Sequence, residues 1–413
     1  MVRLLACLAF VLAALGTAAP ALACPFCSAV ALTFTEEINN NDVAVIARLL
    51  DPPMPPEPGS TKLYRARFEC WYALKGANLL DPSGLAQGEE KQGVFHFSRR
   101  PVVKVLYFGD KPKGTLFLLF GSEPPKLNWA TPVPLSKKAV DYLLRLPSLP
   151  ESGAKRLAFF YKYLECGDSL LERDSYDEFA RAPYDDVKAL KPYLNRQELL
   201  RWIQDPEVAT SRKRLYLTML GICGKPQDAQ LLERILLSPT DRPKMGLDAM
   251  IACYLTLKGP QGLPLVEKHF LGNPKASYSE VYAAIQALRF HGQSESVIPR
   301  RRLAQAFHLL LDRPELADLV IPDLARWEDW SVMDRLVELF KQAEGKKSWV
   351  RVPVVQYLKA CPKPRAKKLL KELEKIDPKA VRRASFFFPS RGRPGGSKPA
   401  PAPAPAGSAS PGK

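Results

Sequence analysis

The sequence predicts a multi-domain α+β protein in which a small β module is followed by a long series of paired helices. Three observations carry this reading. Between residues 42 and 120, short alternating apolar and polar runs are separated by Gly, Pro and Asp, the pattern of half-buried strands. Beyond residue 200, apolar residues recur three and four positions apart, and the pattern repeats every thirty-four residues or so, as stacked supersecondary units do. The chain has 413 residues, more than the ~250–300 at which a single core stops growing.

Residues 1–23 read as a secretory signal, with Arg3 as the basic start and an apolar stretch over 4–15 that is too short for a bilayer span. Ala21 and Ala23 place small residues before a cleavage point between Ala23 and Cys24. Cys24 is then the first mature residue, in a chain that is either freely secreted or lipid-anchored by acylation of Cys24. No later apolar run is long enough for a transmembrane span. The expected location is therefore outside the cytoplasm: periplasmic, extracellular or cell-surface. Export permits disulfides. Of the 8 Cys, Cys7 leaves with the leader, and the odd number remaining requires at least one unpaired thiol or an intermolecular bond.

The β module is expected over 24–135. Its strands are read at 42–50, 62–74, 94–97, 102–108 and 115–120, with Ala66, Phe68, Cys70 and Tyr72 on one face of the second. Five short antiparallel strands suit an OB-like β-barrel. Cys24 or Cys27 pairing with Cys70 would staple the N-terminal segment to the second strand. The Cys24-Pro25-Phe26-Cys27 spacing also fits thiol–disulfide exchange, a chemistry that relies on a helix N-terminus to lower the first thiol's pKa.

Cys24-Pro25-Phe26-Cys27 directly after Ala23, the run Asp42-Val43-Ala44-Val45-Ile46-Ala47-Arg48, and Tyr64-Arg65-Ala66-Arg67-Phe68 leading to Leu74-Lys75-Gly76 resemble the netrin-like domain of the tissue inhibitors of metalloproteinases. The resemblance covers about a quarter of the chain. It implies an OB-type barrel, and inhibition through the amine and carbonyl of Cys24 on a protease's zinc. The chain departs from that pattern in placing two residues between the first cysteines and in lacking most of the others. Acylation of Cys24 would remove the amine.

Residues 136–200 read as a helical connector, with helices at 135–146, 152–164 and across 174–200. Phe159, Phe160, Tyr161 and Tyr163 are read as core. Residues 201–376 carry the repeats: Pro226 recurs as Pro260, Glu233 as Glu267 and Arg234 as Lys268. Each unit is two amphipathic helices around a Gly/Pro turn, unable to bury its apolar face alone. The stretch resembles the HEAT-type family, which implies a right-handed α-α solenoid and no particular function. Residues 377–413 read as a disordered basic tail rich in Pro, Ala and Gly.

From residue 345 onward there are 17 Lys and Arg against 3 acids, so most of the basic excess belongs to the last helical unit and the tail. Four His without ligand spacing, and the lack of any nucleophile, phosphate-loop or zinc motif, argue for a non-enzyme without cofactor or metal. Asp185, Asp186 and Asp329 show no acid–base partner. The expected function is an exported binding or scaffold protein whose helical surface takes a protein or anionic-polymer partner. Contacts are expected at Arg234, Lys268, Arg300, Arg301, Arg302, Lys367, Lys368 and Lys371. Export argues against nucleic acid. The alternatives are a metalloprotease inhibitor acting through Cys24 and a thiol–disulfide oxidoreductase using Cys24 and Cys27.

Overall fold

The computed structural model describes residues 25–51, 65–80, 87–238, 245–293, 297–343 and 349–386. The expected signal over 1–23, Cys24 and the expected tail from residue 387 lie outside these. The protein is α+β. Its described chain divides into two compact units, one up to Leu310 and one from Leu311 onward.

The first unit opens with α1 (Phe34–Asn40), capped by Thr33 in a reciprocal box with Glu36. An antiparallel sheet follows: β1 (Val43–Asp51), β2 (Arg65–Lys75), β3 (Gly88–Lys91), β4 (Val94–Phe97), β5 (Val102–Leu106), β6 (Leu116–Ser122), β7 (Asn128–Trp129) and β8 (Val133–Leu135). The five strands read from the sequence are present. The sheet has eight strands, however, and it is open, so the expected five-stranded barrel is corrected.

The pairing explains why it stays open. The main path runs β3-β4-β2-β1-β6-β7. One edge of β2 is shared, with β5 against Arg65–Glu69 and β4 against Tyr72 and Ala73. β6 divides its outer edge in the same way between β8 and β7. β3 terminates the path with an exposed Gly-Glu-Glu-Lys run, and a charged edge resists further pairing. The β3–β4 hairpin turns on Gln92 and Gly93, both at positive φ, as a two-residue turn requires. Gly76, just beyond β2, is also left-handed, and a Cβ there would lie 2.2 Å from the Asp42 carbonyl oxygen. That approach is open only to glycine.

Alternation along the strands builds the core. Val43, Val45, Ala47 and Leu49 meet Ala66, Phe68, Cys70, Phe117 and Leu119. Phe68, Tyr107 and Phe117 pack edge to face, with centroids 5.1–6.1 Å apart, the arrangement the ring quadrupoles favour. The expected staple to Cys70 does not form. Cys70 is a free thiol inside this core, and burial raises its pKa to about 12.

Helices then follow: α2 (Lys137–Arg145), α3 (Ala154–Tyr161), α4 (Ser169–Arg181), α5 (Tyr184–Ala189), α6 (Arg196–Gln204), α7 (Thr210–Cys223), α8 (Pro226–Leu237), α9 (Leu247–Lys258), α10 (Leu263–Val266), α11 (Tyr278–Gln293) and α12 (Arg300–His308). Ser136, Asp168 and Asn195 cap α2, α4 and α6 through their side chains. Phe159, Phe160 and Tyr161 are buried, and Phe159 and Phe160 pack against Tyr142. α9 packs against α7, α8 and α11.

The second unit contains α13 (Pro314–Ala317), α14 (Ile321–Arg326), α15 (Met333–Gln342), α16 (Arg351–Ala360), α17 (Pro364–Ile376) and α18 (Pro378–Phe386). α18 corrects the expected boundary of the tail. Residues 378–386 are helical, and Ala380 and Ala384 are fully buried, with α18 packed on α16. No helix among the described residues is long and apolar enough to cross a membrane.

Candidate functional site

The densest group of buried charge lies where the N-terminal segment meets α4. That helix carries Asp174, Asp177, Glu178 and Arg181 at i, i+3, i+4 and i+7, the spacing of one helix face. Asp174, Asp177 and Glu178 are buried, although such a face is ordinarily apolar.

The residues before α1 explain the charge. Residues 28–33 form neither helix nor strand, so their backbone N–H groups need acceptors from elsewhere. Val30 N–H and Ala31 N–H donate to the two carboxylate oxygens of Asp177 at 2.7 and 3.2 Å. Ser28 N–H donates to the Tyr176 hydroxyl, and Phe34 N–H to Asp174 at 2.6 Å. Arg181 donates to the Ala31 carbonyl oxygen and pairs with Glu36 at 2.9 Å. Upstream, Phe26 packs on Phe290 of α11, which also contacts Tyr184. The segment is thus strapped across the helices by side chains of α4.

Asp174 is the centre of the strap. Its second oxygen accepts the Tyr142 hydroxyl at 2.5 Å. Burial raises its pKa to about 7, against the lowering effect of the Tyr142 and Phe34 donors. A carboxyl poised near neutrality is a frequent sign of acid–base chemistry. Both of its oxygens, however, are engaged within the fold.

Beside the strap lies a cleft of about 240 Å³ lined by residues that include Thr35, Glu36, Arg156, Glu178, Arg181 and Asp186; Asp174 does not reach it. Arg156 makes a two-pronged contact with Glu178, near 3 Å, and donates to the Thr35 hydroxyl. Asp186 accepts Gly153 N–H at 2.8 Å. These charges are matched to partners within the fold, so the cleft's chemistry is that of a latch. The sequence reading missed this cluster. Its available signals were the 174/177/178/181 spacing and the Thr33–Glu36 box.

Cys27 is held in a disulfide. It lies in coil, and the next helix along the chain begins at Phe34. Ala23 and Cys24 lie outside the described residues. Cys253 and Cys361 are buried free thiols, and Cys223 is a half-buried one. His291 Nε2–H donates to the Ala252 carbonyl oxygen at 3.0 Å, and burial lowers the ring's pKa to about 4. Among the described residues, no three His, Cys, Asp or Glu side chains are placed to hold a metal ion.

The structure separates the predicted contact cations. Arg302, half-buried, pairs with Glu267, whereas Arg300 donates to the Gly292 carbonyl oxygen at the end of α11 and stays exposed. Arg234, Lys268 and Arg301 are exposed. Arg234 lines an open depression of about 680 Å³ with Gln230, Glu233, Leu237, Ser238 and Lys258. In the second unit, Lys367, Lys368 and Lys371 are exposed on α17. The chain matches no protein-family model, no curated protein and no solved structure.

Proposed function

We propose that the chain is an exported, non-catalytic binding protein whose helical surface takes a protein or polymer partner. The depression between α8 and the end of α9 carries this reading. Arg234 and Lys258 stand there beside exposed Leu237, a mixture of cation and apolar surface suited to a partner's rim and anchor. The HEAT-like repeat reading draws support from ion pairs that join successive elements. Arg196–Asp228, Arg214–Asp248 and Arg302–Glu267 span 32, 34 and 35 residues in the first unit. Arg365–Asp334 spans 31 in the second. Export rests on residues 1–23.

Intact-mass measurement of the protein made in its native cell tests export: a mature chain beginning at Cys24, with or without acyl mass, is expected, and retention of Met1 overturns it. Site-specific photocrosslinking from position 237 tests the surface. Crosslinks that disappear in R234S/K258S are expected. Crosslinks unchanged by that double substitution, or none at all, count against the depression.

A further inference from the structure

We propose that one end of the sheet docks on an anionic phospholipid surface, with Phe108 entering the headgroup region. This surface is separate from the helical depression, and neither reading depends on the other.

The juxtaposition follows from strand register. β2 places Arg65 opposite Leu106 and Arg67 opposite Lys104 of β5, and directly opposed residues share a face. On the other side, Arg67 lies opposite Asp51 of β1. That face is turned away from the core, since the alternate residues Ala66, Phe68 and Val105 form the core cluster. Arg65, Arg67 and Lys104 are exposed. Two carboxylates lie on this face: Asp51 serves both Arg67 at 3.0 Å and Lys113 at 3.8 Å, and Glu69 serves Arg48 at 2.8 Å and Arg100 at 3.8 Å. Arg65 and Lys104 have no acidic partner among the described residues. Like charges directly opposite on a sheet are destabilising, and Arg67 with Lys104 is such a pair. An external anion would reverse the sign of that contribution.

The second observation is apolar. Phe108, two residues beyond β5 at the end where Arg65 lies opposite Leu106, is 81% exposed. The loop after Phe108 adds Asp110, Lys111 and Lys113, all exposed, for one further net positive charge. A soluble polyanion has no use for an exposed Phe, whereas a bilayer takes cations at the headgroups and an aromatic at the acyl boundary. The combination therefore favours lipid over an anionic polysaccharide.

The test uses the full chain and vesicles of phosphatidylcholine with or without phosphatidylglycerol, read by flotation, with dextran sulfate retention in parallel. Flotation with the anionic vesicles alone is expected, and it should weaken with salt. Each cation near an anionic membrane is worth about fivefold in partitioning, so R65S/R67S/K104S should lose about a hundredfold. F108S should lose about tenfold on vesicles and nothing on dextran sulfate. These side chains are exposed, so near-UV circular dichroism should be unchanged in both variants. K367S/K368S/K371S controls for the basic C-terminal region. Flotation lost in that control but kept in the sheet variant overturns the proposal. So does dextran sulfate retention that depends on the sheet cations without any vesicle association, which would mark a polysaccharide surface. Absence of flotation by the unmodified chain also overturns it.

Discussion

Replacing Asp174 by Asn should flatten the pH dependence of stability across the weakly acidic range. In the fold the Asp174 carboxyl titrates at about 7, against 3.8 for the ordinary side chain, because burial disfavours its charged form. A carboxyl raised in this way stays protonated in the folded protein at pH values where the unfolded chain has already released the proton. Its contribution is therefore complete below the ordinary carboxylate range and is lost as pH rises through about 7. At ~1.4 kcal/mol per pH unit, the loss between pH 5 and 7 is on the order of 2 kcal/mol. Asn keeps the shape, can accept Phe34 N–H and can donate to the Tyr142 oxygen, but it does not titrate. Urea unfolding of both proteins at pH 5, 6 and 7, followed by far-UV circular dichroism, measures the difference. The stability of wild type relative to D174N should fall by about 2 kcal/mol over that span. Hydrogen exchange of residues 28–34 should report the same trend locally. Parallel pH curves for the two proteins would refute the reasoning, because they would mean that the two donors hold Asp174 ionised throughout.

Other substitutions probe neighbouring parts of the fold. R156M strands buried Glu178 and should cost about 3–5 kcal/mol in urea unfolding, with most of the loss regained in R156M/E178L. Burial raises the Asp228 carboxyl, but the Arg196 and Lys225 contacts outweigh it and hold it below the usual range. The stability it supplies is present above the ordinary carboxylate range and is lost as pH falls through the lowered value, so D228N should show a shallower acid-unfolding curve. T33A removes the α1 cap and should cost about 1 kcal/mol, accompanied by faster exchange in residues 34–40. Cys70, buried and with its thiol raised to about 12, should resist alkylation in the native protein and react only with denaturant present; rapid native labelling would contradict its place in the core.

Much of the architecture was legible because it depends on periodicity. Alternation and apolar runs placed five of the strands, and Ala66, Phe68 and Cys70 are buried on the predicted face. Recurrence at helical spacing placed helices beyond residue 200. β7 and β8, of two and three residues, were too short to be legible; β3 was not legible because its Gly-Glu-Glu-Lys run carries no apolar alternation, unlike β4 of the same length, and Gln92-Gly93 is a weaker turn signal than Asn-Gly. The strap was hidden for the opposite reason. Asp174, Asp177, Glu178 and Arg181 have the spacing of a buried stripe but the composition of a solvated one. Asp174 and Asp177 are buried because residues 28–34 bring unpaired backbone donors from about 140 positions away.

Local composition determined, without coordinates, where strands and helices form, which side chains are apolar enough for a core, and that the cationic excess lies toward the C-terminus. Tertiary structure alone decided that the sheet stays open, that Cys70 is a core thiol rather than a staple, and that Arg302 is tied to Glu267 while Arg234 faces solvent. Each of these depends on which distant groups meet. A periodic pattern encodes the direction in which a side chain points, but the partner waiting there is set by the closure of the whole chain.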